Sequence, residues 1–347
     1  MARCLVGCGS NLGSRREQLD RAVELLRFMP GVTLEAVSRF RETRPVGGPA
    51  DQPAYLNGAC LVDTDLGPHE LLEALFAVEQ TLLRDRSQRW AARTIDLDLL
   101  LYDDLVVDSA ELTLPHPRMS TRRFVLEPCV EIAGGLSHPG AGCTLRDLLD
   151  NISVPHPLVA VVGVPGSGAA GIAAAVADAT LARPLVAPLP PPAVSAADAW
   201  RRTAAAWARP LAADAWPDAG HATVADFWLD GLPLAAAGHL DPAALAAFAS
   251  DVDRLADQTV TPNVVVLLHA DVAVLEERLA GRDGPGGAVV CAAPAAAASA
   301  ALQERLARRL RCPGERGSRT PRAVVTVDAC DLDRAAAEAT AVVEAML

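Results

Sequence analysis

The sequence predicts two domains, an α+β domain followed by an α/β domain. The chain has 347 residues, and at roughly 100 to 200 residues per domain this length suggests two of them. In the first half, strand and helix patterns follow one another in the order β-α-β-β-α-β, which is typical of a ferredoxin-like sandwich. In the second half, apolar strands alternate with helices, which favours a three-layer fold around a parallel sheet.

The first domain is predicted to span residues 1–153. It opens with an apolar strand, RCLVGCG, and a turn, GSNLGS, that leads into an amphipathic helix from about Arg15 to Phe28. The later elements are the strand GVTLEAVSRF, a Gly- and Pro-rich loop, the strand YLNGACLVDTD, a helix opened by Pro68, an Arg-rich loop, the strand TIDLDLLLY and a further helix. The stretch SVPHP interrupts regular structure, so the boundary is expected near Asn151 to Pro157.

The second domain is predicted to span residues 157–347. It begins with the strand LVAVV, a Gly-rich turn and an Ala-rich helix. The Pro-rich stretch that follows can be neither helix nor central strand. The later elements are two helices, the strand NVVVLLHA, the helix VAVLEERLAG, a loop over residues 281–299, the helix AALQERLARRL, the strand RAVVTVDA and a final helix.

Composition and charge disfavour several classes of partner. The formal net charge is −12, which argues against binding to nucleic acids and to anionic membranes. The eight cysteines form no CxxC pair and no zinc-like spacing, so they are expected to be reduced thiols of a cytoplasmic protein. The N-terminus turns polar early, and no run of about 18 strongly apolar residues occurs, so neither a signal peptide nor a membrane span is predicted.

The strongest chemical signal is the stretch RWAARTIDLDLLLY, residues 89–102. On a strand, residues two apart point to the same side, so Asp96 and Asp98 share one face with their Cα atoms roughly 7 Å apart. The apolar residues expected on the other face are Ile95, Leu97, Leu99 and Leu101. The alternation therefore predicts two carboxylates side by side on a half-buried strand.

Paired carboxylates of this kind can hold one or two Mg²⁺ ions, which prefer oxygen ligands and leave positions open for phosphates. Metal ions together with guanidinium groups serve phosphoryl transfer, whose catalysis depends on positioning and charge stabilisation. The arginines that precede the pair are Arg84, Arg86, Arg89 and Arg93. Trp90 lies among them and can stack on a flat ring. An alternative, in which the Asp residues form only the solvent face of an edge strand, stays open from this strand alone.

Four stretches in a fixed order resemble the 6-hydroxymethyl-7,8-dihydropterin pyrophosphokinases of folate biosynthesis, over about residues 3–150. The stretches are GSNLG (9–13), TRPVGGPADQPAYLN (43–57), RWAARTIDLDLLLY (89–102) and LPHPRMSTRRFVLEP (114–128). The resemblance implies transfer of the β,γ-pyrophosphoryl group of ATP to the hydroxymethyl oxygen of the pterin, with release of AMP.

The resemblance also implies roles for single residues. Asp96 and Asp98 would bind two Mg²⁺ ions that bridge the triphosphate, and Arg84 and Arg93 would join them as catalytic residues. The residues implied at the pterin are Thr43, Pro45, Val46, Tyr55, Asn57 and Phe124. Those implied at ATP are Glu79, Arg86, Arg89, Trp90, Thr113, His116 and Arg122. The plainer alternatives are a core Tyr and Phe, a turn-forming Asn and a helix-surface charge at Glu79.

The segment GVPGSGAAG, residues 163–171, follows the first strand of the second domain. Its glycines suit a backbone cradle for phosphate, but Ala169 and Ala170 stand where a working P-loop has its Lys and its Ser or Thr. With the later stretches ADFWLDG, NVVVLLHADVAVLEERLAGR and VVTVDA, it resembles a deoxynucleoside kinase-type P-loop NTPase domain over about residues 157–347. The sequence therefore predicts a degenerate kinase-like domain, kept for dimerisation, regulation or weak nucleotide binding.

Three functions stay open at this point. The favoured one is an ATP-dependent pterin pyrophosphokinase with a degenerate kinase-like appendage. The second adds deoxynucleoside kinase activity in the C-terminal half. The third is a catalytically inert nucleotide-sensing scaffold, supported by the eroded loop and by Ala91 and Ala92, where the resembled family has Gly-Pro. ATP and the pterin are the expected partners, and a homodimer through the C-terminal domain stays open.

Overall fold

The computed structural model describes residues 1–48, 52–82, 93–190, 192–217, 220–281, 296–311 and 321–347. The chain divides into two compact units. The first comprises Met1–Ser153 together with Glu344–Leu347, and the second comprises Val154–Val343.

The first unit is built on an antiparallel sheet. Its strands are β1 (Ala2–Ser10), β2 (Val32–Val37), β3 (Arg41–Thr43), β4 (Tyr55–Thr64), β5 (Asp96–Tyr102), β6 (Val107–Asp108), β7 (Thr113–Leu114), β8 (Ser137–His138) and β9 (Cys143–Thr144). Its helices are α1 (Arg15–Arg27), α2 (Pro68–Thr81), α3 (Arg123–Ala133) and α4 (Leu145–Ile152). The main elements follow the predicted β-α-β-β-α-β order, with the short strand β3 added before β4.

The sheet order places two predicted site segments beside the same strand. The order is β2-β4-β1-β5, and β3 pairs with the first part of β4. Gly9, near the end of β1, pairs with Asn57 of β4 on one side and with Asp96 of β5 on the other. The start of β4 and the start of β5 therefore meet at the carboxyl end of β1.

Both faces of the central strand are covered. Cys4, Leu5 and Val6 follow one another on β1 and are all buried, and successive strand residues point to opposite faces. One face packs against α1 and α2 through a cluster that includes Leu97 and Leu99 of β5 and Ile95 just before it. This leaves Asp96 and Asp98 on the face turned away from those helices.

The predicted apolar face of β5 is wrong at its end. The pairing shifts between Leu5 and Val6 of β1, so Leu100 is skipped in the register and the alternation changes after Leu99. Leu101 lies outside the cluster that holds Ile95, Leu97 and Leu99. Tyr102 packs against that cluster instead. The bulge lies beyond the Asp pair and leaves the shared face of Asp96 and Asp98 intact.

The second unit is an α/β structure on a parallel sheet. Its strands are β10 (Leu158–Val162), β11 (Arg183–Leu185), β12 (Thr223–Ala225), β13 (Val264–His269) and β14 (Ala323–Asp328). Its helices are α5 (Ala169–Thr180), α6 (Ala196–Ala208), α7 (Leu232–Ala236), α8 (Pro242–Ala256), α9 (Val272–Ala280), α10 (Ala296–Arg311) and α11 (Leu332–Met346). The end of α11, from Glu344 on, counts with the first unit. All pairs in the order β11-β12-β10-β13-β14 are parallel.

Several elements of the second unit differ from the sequence prediction. Neither β11 nor β12 is predicted, and α10 begins at Ala296, inside the predicted loop. Pro184 lies on β11, which is an edge strand, where a missing backbone N–H is tolerated.

Among the described residues, no helix is both long and apolar enough to cross a lipid bilayer.

Candidate active site

Two aspartates lie side by side on β5. Asp96 and Asp98 are half-buried, and the intervening Leu97 is buried. On the neighbouring strand β1, Asp96 pairs with Gly9 and Asp98 pairs with Gly7. Since glycine has no side chain, β1 places no bulk beside either carboxylate. The side chains that approach these two glycines come from elsewhere, Asn57 at Gly9 and Leu100 at Gly7.

The donor set suits Mg²⁺. Oxygen ligands are what Mg²⁺ prefers, and it commonly takes one or two carboxylates from a protein and its other ligands from phosphates and water. In the described part of the chain, no group of three or more His, Cys, Asp and Glu residues could hold a metal ion. Asp96 and Asp98 are two carboxylates of the kind that Mg²⁺ takes from a protein.

Positive charge surrounds the two carboxylates. Arg93 Nη1 lies 2.5 Å from Asp96 Oδ2. Burial and the nearby charge of Arg118 lower the pKa of Arg122 to about 10, against the opposing effect of Asp98, so Arg122 stays cationic at neutral pH. The charge of Arg118 lowers the pKa values of both Arg122 and His116. Arg118 was not predicted as a site residue, although it lies in the stretch LPHPRMSTRRF. The positive charges of these three arginines complement the negative charge of a polyphosphate.

His116 is held in its neutral form. Burial lowers its pKa to about 3, and the charges of Arg122 and Arg118 act in the same direction. Its Nδ1 accepts a hydrogen bond from the backbone N–H of Arg118 at 3.2 Å, which places the ring proton on Nε2. A neutral imidazole of this kind is a weak base but a good hydrogen-bond donor.

The turn after β1 holds the segment that leads into β5. The backbone N–H groups of Asn11 and Leu12 donate to the carbonyl of Arg93 at 3.0 and 3.1 Å. Asn11 Oδ1 accepts from the backbone N–H of Arg93 at 2.7 Å, and Ser10 Oγ donates to the carbonyl of Thr94 at 2.6 Å. Asn11 was missed as a functional residue, although it lies in the quoted stretch GSNLG.

The predicted pterin residues come from three neighbouring segments. Asn57 Nδ2 donates to Thr43 Oγ1 at 2.8 Å, and Tyr55 pairs with Thr43 across β4 and β3. Phe124 lies in the first turn of α3, which packs against β4, and the guanidinium of Arg122 lies 5.5 Å from its ring centre. Pro45 and Val46 follow β3 and are half-buried.

Glu79 is buried beneath the surface of α2. Its side chain is 1% exposed, which contradicts the alternative of a helix-surface charge. Glu79 Oε1 accepts a hydrogen bond from the backbone N–H of Leu97 at 2.7 Å. A carboxylate so deeply buried offers almost no surface to a ribose or a base, and the contact that the structure shows is the one with β5. The contact with ATP stays a prediction.

Of the remaining predicted site residues on the ATP side, the structure describes only Thr113. Thr113 is half-buried and lies on β7, paired with Asp108. Arg84, Arg86, Arg89 and Trp90 lie outside the described residues.

The glycine-rich loop of the second unit lies between β10 and α5. Gly166 and Gly168 have φ angles of 92° and 84°, which side chains rarely allow. Arg278 donates to the carbonyls of Ala329 and Cys330, each at 2.8 Å, and to that of Gly166 at 3.4 Å. Ala169 and Ala170 form the first turn of α5.

Comparisons with known proteins identify the first unit. The family model described as 7,8-dihydro-6-hydroxymethylpterin-pyrophosphokinase matches residues 5–134. A 2-amino-4-hydroxy-6-hydroxymethyldihydropteridine pyrophosphokinase from Pseudomonas aeruginosa is 42% identical over 147 residues, which is 42% of this chain and 90% of the relative. The protein of the same name from Methylorubrum extorquens is 42% identical over 149 residues, 43% of this chain and 92% of the relative.

A solved gluconokinase from Sinorhizobium meliloti covers 54% of this chain and 92% of its own at 23% identity, with a TM-score of 0.28.

The family model and the two relatives place the first unit in a class, the kinases that use ATP as co-substrate. Within that class, the chain belongs to the 7,8-dihydro-6-hydroxymethylpterin-pyrophosphokinase family. It is a transferase of folate biosynthesis and uses ATP as co-substrate. The second unit lies outside the residues that the family model matches.

Proposed function

We propose that the first unit transfers the pyrophosphoryl group of ATP to 6-hydroxymethyl-7,8-dihydropterin at Asp96 and Asp98. The hydroxymethyl oxygen forms a bond to the β-phosphorus, the bond from that phosphorus to the α,β-bridging oxygen breaks, AMP leaves, and the hydroxyl proton goes to solvent. The observation that carries this proposal is the carboxylate pair beside Gly7 and Gly9, with Arg93 and Arg122 close by.

Two Mg²⁺ ions, held by Asp96 and Asp98, would neutralise the triphosphate and acidify the attacking hydroxyl. Arg93 and Arg122 bind phosphate oxygens as fixed cations, because their charges lie next to the aspartates. His116 donates a hydrogen bond from Nε2 to a phosphate oxygen of ATP, since its lowered pKa makes it a poor proton acceptor. From the family resemblance we also propose that Thr113, Arg86, Arg89 and Trp90 contact ATP. Arg84 is proposed to act with Arg93 as a catalytic residue.

The pterin binds between the start of β4 and the first turn of α3. Tyr55 and Phe124 offer ring faces to a flat heterocycle, and Asn57 recognises its polar edge. The bond from Asn57 Nδ2 to Thr43 Oγ1 fixes the orientation of the amide. Backbone groups from Thr43 to Val46 complete the recognition of that edge.

The experiment that tests this function measures AMP release by the full chain with ATP, Mg²⁺ and 6-hydroxymethyl-7,8-dihydropterin. We expect AMP to form only when all three are present. ADP in place of AMP would contradict pyrophosphoryl transfer.

For the second unit we propose a degenerate P-loop domain of the deoxynucleoside kinase type that serves dimerisation or weak nucleotide binding. The parallel sheet and the left-handed glycines between β10 and α5 support this proposal, while Ala169 and Ala170 supply neither a cation nor a metal ligand. The full chain carrying Asp96→Asn and Asp98→Asn isolates this unit. We expect no ADP formation from ATP with any deoxynucleoside, and turnover would establish the bifunctional alternative.

A further inference from the structure

Glu79 is a buried carboxylate that the proposed chemistry does not use. It lies in the last turn of α2 and is 1% exposed. Burying a carboxylate is costly unless hydrogen bonds compensate for the lost water. The bond from the backbone N–H of Leu97 to Glu79 Oε1, at 2.7 Å, is such a compensation. The donor of this bond lies on β5, between the two aspartates, which points to a role for Glu79 in the aspartate site.

This hydrogen bond lies on the outer side of an edge strand. In the order β2-β4-β1-β5, the strand β5 pairs with β1, and the described residues give it no strand on its other side. N–H groups of successive strand residues point to opposite sides, so the Leu97 N–H that reaches Glu79 points away from β1. Glu79 thereby takes the place of a neighbouring strand at this point.

Leu97 is the residue between Asp96 and Asp98, so fixing its backbone fixes the origin of both carboxylates. We propose that Glu79 is a positioning residue, which holds β5 so that Asp96 and Asp98 keep the spacing that binds the metal–phosphate complex. This inference rests on the proposed function of that aspartate pair.

The length of the side chain, rather than its charge, is the property that matters here. Glu79→Gln keeps an oxygen acceptor at the same reach, whereas Glu79→Asp keeps the charge but is one methylene shorter. We expect the Gln variant to release AMP within about threefold of the unchanged chain. The Asp variant should need about tenfold more Mg²⁺ for half-maximal activity, because the aspartate pair loses its support. Glu73→Gln, on an exposed position of the same helix, is the matched control.

A contact between Glu79 and ribose would give a different pattern. Each variant is therefore assayed with ATP, 2′-deoxyATP and 3′-deoxyATP. A positioning role predicts the same ratio of variant to unchanged activity with all three nucleotides. A defect that appears in the KM for ATP and vanishes with either deoxynucleotide would overturn the inference, as would an Asp variant more active than the Gln variant.

Two readouts do not depend on turnover. Hydrogen–deuterium exchange at the Leu97 amide should be faster in Glu79→Asp than in Glu79→Gln, because the Asp carboxylate falls short of the N–H. Mn²⁺ binding to the full chain with a non-hydrolysable ATP analogue should weaken about tenfold in the Asp variant alone. Unchanged exchange and Mn²⁺ binding in that variant would refute the positioning role. Failure of the unchanged chain to release AMP would instead refute the proposed function.

Discussion

At position 9, the absence of a side chain brings two functional groups to the same point. Gly9 pairs with Asn57 on one side and with Asp96 on the other. A Cβ atom at this position would lie 2.6 Å from Asn57 Oδ1, which is closer than non-bonded contact allows. Gly9, which carries no functional group, therefore determines where the proposed pterin and phosphate sites meet.

Gly9→Ala should impair pterin binding. The new methyl group displaces the Asn57 amide, and losing about one hydrogen bond costs about 1.4 kcal/mol, or tenfold in affinity. We expect the KM for the pterin to rise about tenfold while the KM for ATP changes little, as measured by steady-state AMP release. Gly135→Ala is the control, since a Cβ there meets no atom within 4 Å. An unchanged KM for the pterin would argue against the place given to Asn57.

His116 should remain neutral across the physiological pH range. Its pKa lies near 3 because of burial and the charges of Arg122 and Arg118, whereas an unfolded chain protonates its histidines near pH 6.5. Protonation therefore favours the unfolded state, and this contribution to stability is lost as the pH falls from about 6.5 towards 3. NMR titration of the His116 ring between pH 5 and 8 should show no change, and a midpoint near 6.5 would disagree with this environment.

At the scale of elements, the turn that follows β1 determines where β5 begins. Three hydrogen bonds join Asn11 and Leu12 to Arg93, and Ser10 adds one to Thr94. These contacts join segments that lie more than 80 residues apart in sequence. The turn GSNLG therefore holds the entry to the strand that carries the aspartate pair.

Asn11→Ala should lower the turnover number more than it lowers stability. It removes the side-chain bond to the Arg93 N–H, worth about 1 kcal/mol, and loosens a residue that contacts Asp96. We expect a fall in kcat of at least about tenfold, since small displacements of catalytic groups are costly. Denaturant unfolding and single-turnover AMP release are the measurements. Leu12→Ala, at a side chain 45% exposed, should behave like the unchanged chain; equal loss in both variants would indicate general disruption.

At the scale of the whole molecule, the proposed chemistry belongs to the first unit alone. The guanidinium of Arg278 holds the glycine-rich loop of the second unit through bonds to Gly166, Ala329 and Cys330. Arg278→Met should alter that loop and leave AMP release per folded molecule within about twofold of the unchanged chain. Circular dichroism checks the folded fraction. A loss above about tenfold in the folded variant would mean that the second unit contributes to the reaction.

The sequence predicts the strongly patterned elements and fails where tertiary context decides. β5 and its aspartate face follow from a period of two, but the bulge that moves Leu101 depends on the register with β1. The three residues of β12 are too few to show a period. The sequence predicts Glu79 as a contact to ATP, with a surface charge on the helix as the alternative, and only the packing against β5 reveals its hydrogen bond to Leu97. Similarly, the GSNLG stretch is visible in sequence, but its bonds to Arg93 are not.

The most direct test of the central claim is AMP release by full-length chains carrying Asp96→Asn or Asp98→Asn. Either change removes a carboxylate charge from the proposed metal site, and we expect a fall in kcat of about a thousandfold or more, with the fold unchanged by circular dichroism. Asp104→Asn, at an exposed position just after β5, is the control and should retain full activity. AMP release within tenfold of the unchanged chain in both variants would contradict the assignment of the reaction to this aspartate pair.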